Sequence, residues 1–195
     1  LRGGRFVVRG VRIFGFSGDS DELYYQRVDR NGQSLTQPLR IVDTIYVYSS
    51  TGIKGLSIAS DTTGKFIICW SRAHTFLSDP KVFFQRFDSS GVKLGGIDSV
   101  NEANSNAEFP SVAMNYDGSF VAAWQDDRTA QYDIYMQRYN PNGNKIGNNV
   151  KVNDIPGLNY IGGANVSTNG KGRIVVAWND PRSCGAGDIY YQVYD

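Results

Sequence analysis

The feature that most constrains this chain is a short motif written four times. It reads Gly-Lys-Phe-Ile-Ile-Cys-Trp at 64–70, Gly-Ser-Phe-Val-Ala-Ala-Trp at 118–124, Gly-Arg-Ile-Val-Val-Ala-Trp at 172–178, and in degenerate form Gly-Arg-Phe-Val-Val-Arg-Gly at 4–10. Each copy precedes a second shared segment, at 23–29, 82–88, 134–140 and 189–195, built around Gln26, Gln85, Gln137 and Gln192. These glutamines lie 59, 52 and 55 residues apart. Self-similarity at one period marks a chain assembled from copies of a single supersecondary unit.

Each unit resolves into short runs rich in Val, Ile, Phe, Tyr and Trp, separated by Asn/Asp and Gly turns, which is the sequence form of β-hairpins. In the third unit the pattern predicts strands at 111–115, 120–125, 133–139 and 145–152. The turns are Asp61-Thr62-Thr63-Gly64, Asn115-Tyr116-Asp117-Gly118 and Asn169-Gly170-Lys171-Gly172 between first and second strands. Asp29-Arg30-Asn31-Gly32, Asp88-Ser89-Ser90-Gly91 and Asn140-Pro141-Asn142-Gly143 stand between third and fourth. An apolar period of 3.6 never persists for ten residues, so helix content is expected near nil.

The second strand is apolar on both faces, as in Ile174-Val175-Val176-Ala177-Trp178. A strand with one wet face alternates, so both faces here are expected to be covered. Repeated four-stranded units with doubly covered middle strands predict an all-β fold, a β-propeller of four-stranded antiparallel blades, in preference to a solenoid. The expected organisation is one propeller region over 1–195, with blades at 1–50 (partial), 51–105, 106–158 and 159–195 (partial). Four copies of strands two and three accompany three of strands one and four, so the chain reads as an arc of about four blades from a ring of about six to eight. Phe66, Ile68, Trp70, Phe120, Trp124, Ile174, Val176 and Trp178 are the expected core.

Composition narrows the function classes. Twenty basic against 19 acidic residues leave a net charge of +1, without the basic excess of a nucleic-acid binder. The longest apolar runs are far short of the roughly 20 residues that span a bilayer, and no signal segment opens the chain. Two cysteines and one histidine argue against structural zinc, which draws three or four ligands from those types. Cys69, inside an apolar run, reads as a core residue, and nothing pairs its surroundings with those of Cys184.

The composite pattern Gly-x-Phe-Val-x-x-Trp-x-Asp-x-Arg, then Asp-Ile-Tyr-x-Gln-Arg-Tyr, then Asn-Gly and Val-Asn, resembles a β-propeller repeat common in large secreted or surface-attached bacterial proteins. The third unit carries it through Gly118, Phe120, Trp124, Asp126, Arg128, Asp133, Tyr135, Gln137, Arg138, Gly143 and Asn153. The fourth carries Trp178, Asp180, Arg182, Asp188, Tyr190 and Gln192, and the second Trp70, Gln85, Arg86 and Asn101. The first departs, with Arg9 and Gly10 in place of the small residue and Trp. The resemblance implies a scaffold appended to secreted or cell-surface proteins, with other domains of the same longer chain, a protein or a glycan as partner.

Trp70, Trp124, Trp178, Asp126, Arg128, Asp180 and Arg182 recur at fixed places, so they serve something every repeat needs, such as tying one blade to the next. Arg27, Arg86 and Arg138 suggest the arginine cluster of a sialidase-like enzyme, yet they too are repeat-equivalent. The Ser-x-Asp-x-Gly-x-Thr-Trp turn of sialidases is absent, and His74 has no nucleophile-plus-orienter beside it. No catalytic residue and no cofactor are expected. Calcium is the one metal with compositional support, from 19–22 (Asp-Ser-Asp-Glu) and the pair Asp126 and Asp127, but neither stretch has a complete calcium loop. The linker between strands two and three varies most, and its aromatics Phe16, Phe76 and Tyr132 are the candidate binding residues. The reading is a non-catalytic extracellular or cell-surface scaffold or binding module. The alternative is part of a carbohydrate-active propeller enzyme whose catalytic residues lie in other blades.

Overall fold

Turn chemistry sets the hairpins first. Asp61 Oδ1 accepts from the N–H groups of Thr63 and Lys65 at 2.8 and 3.0 Å, Asp88 from Ser90 and Val92, Asn140 from Asn142 and Asn144, and Asn169 from Lys171 and Arg173. One short side chain thus satisfies two turn donors and reverses the chain, which is why Asn and Asp open these turns.

The computed structural model describes residues 5–7, 11–14, 20–29, 31–41, 45–46, 53–72, 80–102, 105–154, 163–180 and 187–195. Every regular element among them is a strand. The chain forms two compact units, Leu1–Ile53 with Ala73–Ser78, and Lys54–Arg72 with Asp79–Asp195.

In the first unit a long strand, β3 (Ser20–Val28), pairs antiparallel with β1 (Arg5–Val7), β2 (Val11–Phe14), β4 (Leu39–Arg40) and β5 (Ile45–Tyr46). The degenerate repeat explains the two short pieces. Val11 faces Leu23 as Ser71 faces Val82 in the next repeat, but Phe6 faces Arg27 where its counterpart Phe66 faces Phe87. The second strand therefore shifts by one residue between β1 and β2, across the stretch where Arg9 and Gly10 depart from the motif.

The second unit holds three antiparallel sheets. They are β6 (Leu56–Ser60), β7 (Phe66–Arg72), β8 (Lys81–Phe87) and β9 (Lys93–Ser99); β10 (Ala107–Met114), β11 (Phe120–Asp126), β12 (Asp133–Tyr139) and β13 (Lys145–Lys151); and β14 (Asn165–Thr168), β15 (Ile174–Asp180) and β16 (Asp188–Tyr194), each paired in sequence order. We number these blades one to three. Blades one and two enclose Ile67, Cys69, Val82, Phe84, Phe120, Ala122, Trp124 and Tyr139, where Phe120 stacks on Tyr139 at 4.5 Å and Phe84 meets both rings edge-on. Blades two and three enclose Val121, Ala123, Ile134, Met136, Ile174, Val176 and Trp178. All eight expected core side chains are at most 5% exposed. Successive residues of β11 enter different cores, which is the physical reason that strand carries no polar alternation. β15, expected to be covered on both faces, instead leaves Val175 37% exposed, so only the face of Ile174, Val176 and Trp178 is buried.

The repeated glutamine has a local cause. The β12/β13 register shifts between Met136 and Arg138, and Gln137 Nε2 donates to the carbonyls of Ile146 and Gly147 at 3.2 and 3.1 Å and to Arg138 O at 2.9 Å. Gln85 does the same for Leu94, Gly95 and Arg86 in blade one. Gly95 and Gly147 take the positive φ (74° and 69°) that the bulge requires. The glutamine stands in for ladder donors that the bulge removes.

Candidate functional site

The tryptophan motif builds a closed network at the β11–β12 end of blade two. Trp124 Nε1 donates to Asp126 Oδ2 at 2.9 Å. Arg128 grips the same carboxylate with Nε (3.0 Å) and Nη2 (2.5 Å), and its backbone N–H adds a third bond at 3.0 Å. The guanidinium also lies 4.0 Å from the Tyr135 ring centroid and donates to Asn149 Oδ1, whose amide donates to Gln137. Burial alone pushes the Asp126 carboxyl up, but the bonds from Arg128 and Trp124 outweigh it and hold it below the usual carboxylate range. These ties run within one blade. In blade three Trp178 donates to Asp180 at 3.3 Å. In blade one Arg72 occupies the acidic position and stacks over Phe83 at 4.9 Å.

Asp133, opposite Asp126 in the ladder, is equally engaged, by Lys151 Nζ (2.9 Å), Thr129 (2.7 Å) and Asn153 (2.8 Å). Asp127 accepts from the backbone and side-chain nitrogens of Asn106 at 2.8 and 2.6 Å. Asp126 and Asp127, the pair considered for calcium, thus serve different partners, and the described residues hold no cluster of three His, Cys, Asp or Glu able to bind a metal. In the 19–22 stretch Asp19 lies outside the described residues.

Tyr132 is half-buried and packs against the core between blades two and three. Burial, followed by Glu108 and Asp127, pushes its hydroxyl pKa up. Part of its ring packs on that core while the rest stays accessible. Phe16, Phe76, His74 and Arg182 lie outside the described residues.

One position of the first strands sets blade two apart from its neighbours. Hydrogen bonds from Val112 N to Ser57 Oγ (3.0 Å) and from Val166 N to Ser111 Oγ (3.1 Å) align the first strands of the three blades, so Gly55, Phe109 and Gly163 occupy equivalent positions. Blade two carries Phe there, at φ 52°, in the left-handed region that glycine adopts freely and a β-carbon opposes. The β10/β11 register shifts between Glu108 and Ser111, so Phe109 and Pro110 form a bulge. The neighbouring glycines make its room. A β-carbon on Gly55 would stand 2.8 Å from Phe109 Cα, and one on Gly163 would stand 3.1 Å from Phe109 Cβ.

Phe109 N donates to Lys54 O at 3.3 Å, and Lys54 Nζ pairs with Glu108 Oε1 at 2.9 Å. The result is a phenylalanine, 42% exposed as a residue, on a strained bulge, flanked by an ammonium, a carboxylate and two glycines. The predicted strand at 111–115 in fact begins at Ala107. Pro110 and the interrupted alternation hid its first turn of backbone, and the one available signal was Phe standing where the other repeats have Gly.

Antiparallel sheets of four, four and three described strands, packed face to face in sequence order, decide the architecture. These are β-propeller blades. The blades are similar in fold to an α-L-arabinanase from Penicillium chrysogenum complexed with arabinobiose, with a TM-score of 0.58, 15% identity and 91% of this chain covered. They are likewise similar to an α-L-arabinofuranosidase from Fusarium graminearum in complex with an iminosugar inhibitor, with a TM-score of 0.57, 11% identity and 95% covered. The chain spans 58% and 62% of the lengths of those two proteins. No protein-family model matches the chain, and no curated protein does.

Proposed function

We propose that this chain is the blade region of a carbohydrate-active β-propeller protein, secreted or held at a cell surface in a ring larger than these blades, and that the rim around Phe109 binds a glycan. The observation that carries the reading is the Phe109 bulge. Backbone strain and bulges concentrate at binding sites because the fold must hold such a conformation against its cost. A fixed ring offers an apolar face to the C–H face of a sugar, while Glu108 and Lys54 beside it suit the sugar's hydroxyls. Fold likeness to proteins of arabinan chemistry makes arabino-oligosaccharides the first ligands to test.

A second reading, the non-catalytic binding module, is favoured by the carboxylates themselves. Glycoside hydrolysis needs two carboxyl groups facing the bond, one of them a proton donor with a raised pKa. Asp126, Asp133 and Glu108 are each paired with a cation, and Asp126 is shifted in the opposite direction.

One experiment separates the readings: titration of arabinobiose and a glycan panel by calorimetry, with reducing-sugar release measured in parallel. Binding that is lost in Phe109→Ala supports the site. Release of sugar favours an enzyme, and binding without release favours the module. A folded protein that binds no glycan would sink the proposal.

A further inference from the structure

We propose that blade one carries a binding site for a carboxylate supplied from outside the chain, formed by Trp70 Nε1 and the Arg72 guanidinium where β7 leaves the sheet. Its residues are distinct from those around Phe109, so it stands apart from the glycan reading.

In blade two one carboxylate answers two donors. Asp126 Oδ2 accepts from Trp124 Nε1 at 2.9 Å and Oδ1 from Arg128 Nε at 3.0 Å. Blade one keeps both donors and lacks the acid. Its indole sits as in the other blades: Trp70 lies 6.2 Å from the Phe83 ring with 27° between planes, Trp124 6.3 Å from Tyr135 at 27°, and Trp178 6.3 Å from Tyr190 at 26°. Phe83 is the ladder counterpart of Tyr135. The Arg72 guanidinium lies 4.9 Å from the Phe83 centroid, as that of Arg128 lies 4.0 Å from Tyr135. Arg72 thus holds the acid's place in the sequence and the arginine's place in space.

The hydrogen bonds register the loss. Trp70 Nε1 and Arg72 Nε are both buried and both without an acceptor, and Trp70 is 0% exposed. They are the counterparts of the two nitrogens that meet at Asp126 in blade two. A buried donor left unpaired bears the cost of its desolvation, and a guanidinium matches a carboxylate better than any other partner. Burial pushes the Arg72 pKa down, whereas for Arg128 the Asp126 carboxylate outweighs burial and raises it.

Charge across the ladder points the same way. Asp126 faces Asp133 in blade two, and the equivalent pair in blade one is Arg72 and Lys81. Two carboxylates have become two cations, and among the described residues neither cation has an acidic partner. Arg72, Lys81 and Phe83 are half-buried, so part of the site meets solvent. The ligand that fits is an organic carboxylate, with one oxygen for the indole N–H and one for Arg72, and with Lys81 adding attraction. A monatomic anion lacks the second oxygen.

The test titrates the isotope-labelled chain with sodium acetate and with sodium galacturonate, against sodium chloride at equal ionic strength, and follows the assigned indole N–H resonances of the three tryptophans by NMR. The Trp70 resonance should move downfield and saturate, while those of Trp124 and Trp178, already bonded to Asp126 and Asp180, stay in place. Arg72→Gln should raise the dissociation constant at least about tenfold. Arg72→Asp restores the acid of the other blades, so its Trp70 resonance should stand downfield without ligand and ignore acetate. Thermal melting gives a second reading, in which galacturonate raises the melting temperature of the native chain and leaves that of Arg72→Asp unchanged. Acetate bound as tightly as galacturonate assigns the site to the carboxylate alone, and tighter galacturonate binding assigns it to an acidic sugar. A Trp70 resonance that stays still, that moves equally with chloride, or that responds undiminished in Arg72→Gln would overturn the proposal. So would a response that appears only in Asp79→Asn, since the chain's own Asp79, outside the described residues, would then be the acceptor.

Discussion

Phe109 offers a prediction in which the sign is informative. An L-residue in the left-handed region costs roughly 1–2 kcal/mol, while glycine in ordinary backbone is about 0.5–1 kcal/mol worse than alanine through its unfolded-state freedom. At position 109 the strain term wins, so Phe109→Gly should be more stable than Phe109→Ala by about 0.5–1 kcal/mol, the reverse of the usual order. Both lose the ring. With 42% of the residue exposed, about half of the roughly 1.5–3 kcal/mol for full burial is at stake, or about 1–1.5 kcal/mol. Phe109→Ala should then cost about 1–1.5 kcal/mol and Phe109→Gly about 0.5 kcal/mol or less. Urea titration of the three proteins at constant m-value measures this directly. Glycan binding should be lost equally in both variants, since the ring and not the backbone makes the contact. An alanine variant as stable as the glycine variant would refute the left-handed assignment and the strain argument with it.

Arg128→Ala leaves Asp126 buried without its cation and should cost roughly 3–5 kcal/mol at neutral pH, read from the urea midpoint. Because the folded Asp126 carboxyl lies below its ordinary value of 3.8, its stabilisation is complete above that value and is lost as pH falls through the folded pKa. The stability gap between the native chain and Asp126→Asn should therefore be flat from pH 8 to about 5 and shrink in more acidic buffer. Gln137→Leu strands buried bulge carbonyls and should cost about 2–4 kcal/mol, while Gln192→Leu, at the same repeat position, should cost less than about 0.5 kcal/mol. Cys69 is fully buried and burial pushes its thiol pKa up, so its peptide should remain unmodified when the native protein is treated with iodoacetamide and mapped by mass spectrometry.

The sequence by itself determined the hairpin turns and the doubly buried second strands β7 and β11, but not the exposed face of β15 at Val175. Those depend on neighbours in the chain: Asp61 needs only Thr63 and Lys65 to close its turn, and the run from Phe120 to Trp124 declares two covered faces by lacking polar alternation. It also showed that Asp126 and Arg128 would be near one another, two residues apart at a strand end. Their further partner Asn149, on a different strand, was set by the bulge that Gln137 stabilises. Tertiary structure alone decided that part of the Tyr132 ring packs on the core, that β1 and β2 differ in register by one residue, and that Phe109 stands exposed on a left-handed bulge. Each of these is fixed across blades or strands. Phe109 holds its conformation because Gly55 and Gly163, each 54 residues away, leave no β-carbon in its path. A repeat makes such equivalences visible as spacing, but the clearance between blades is a distance in space that no local pattern encodes.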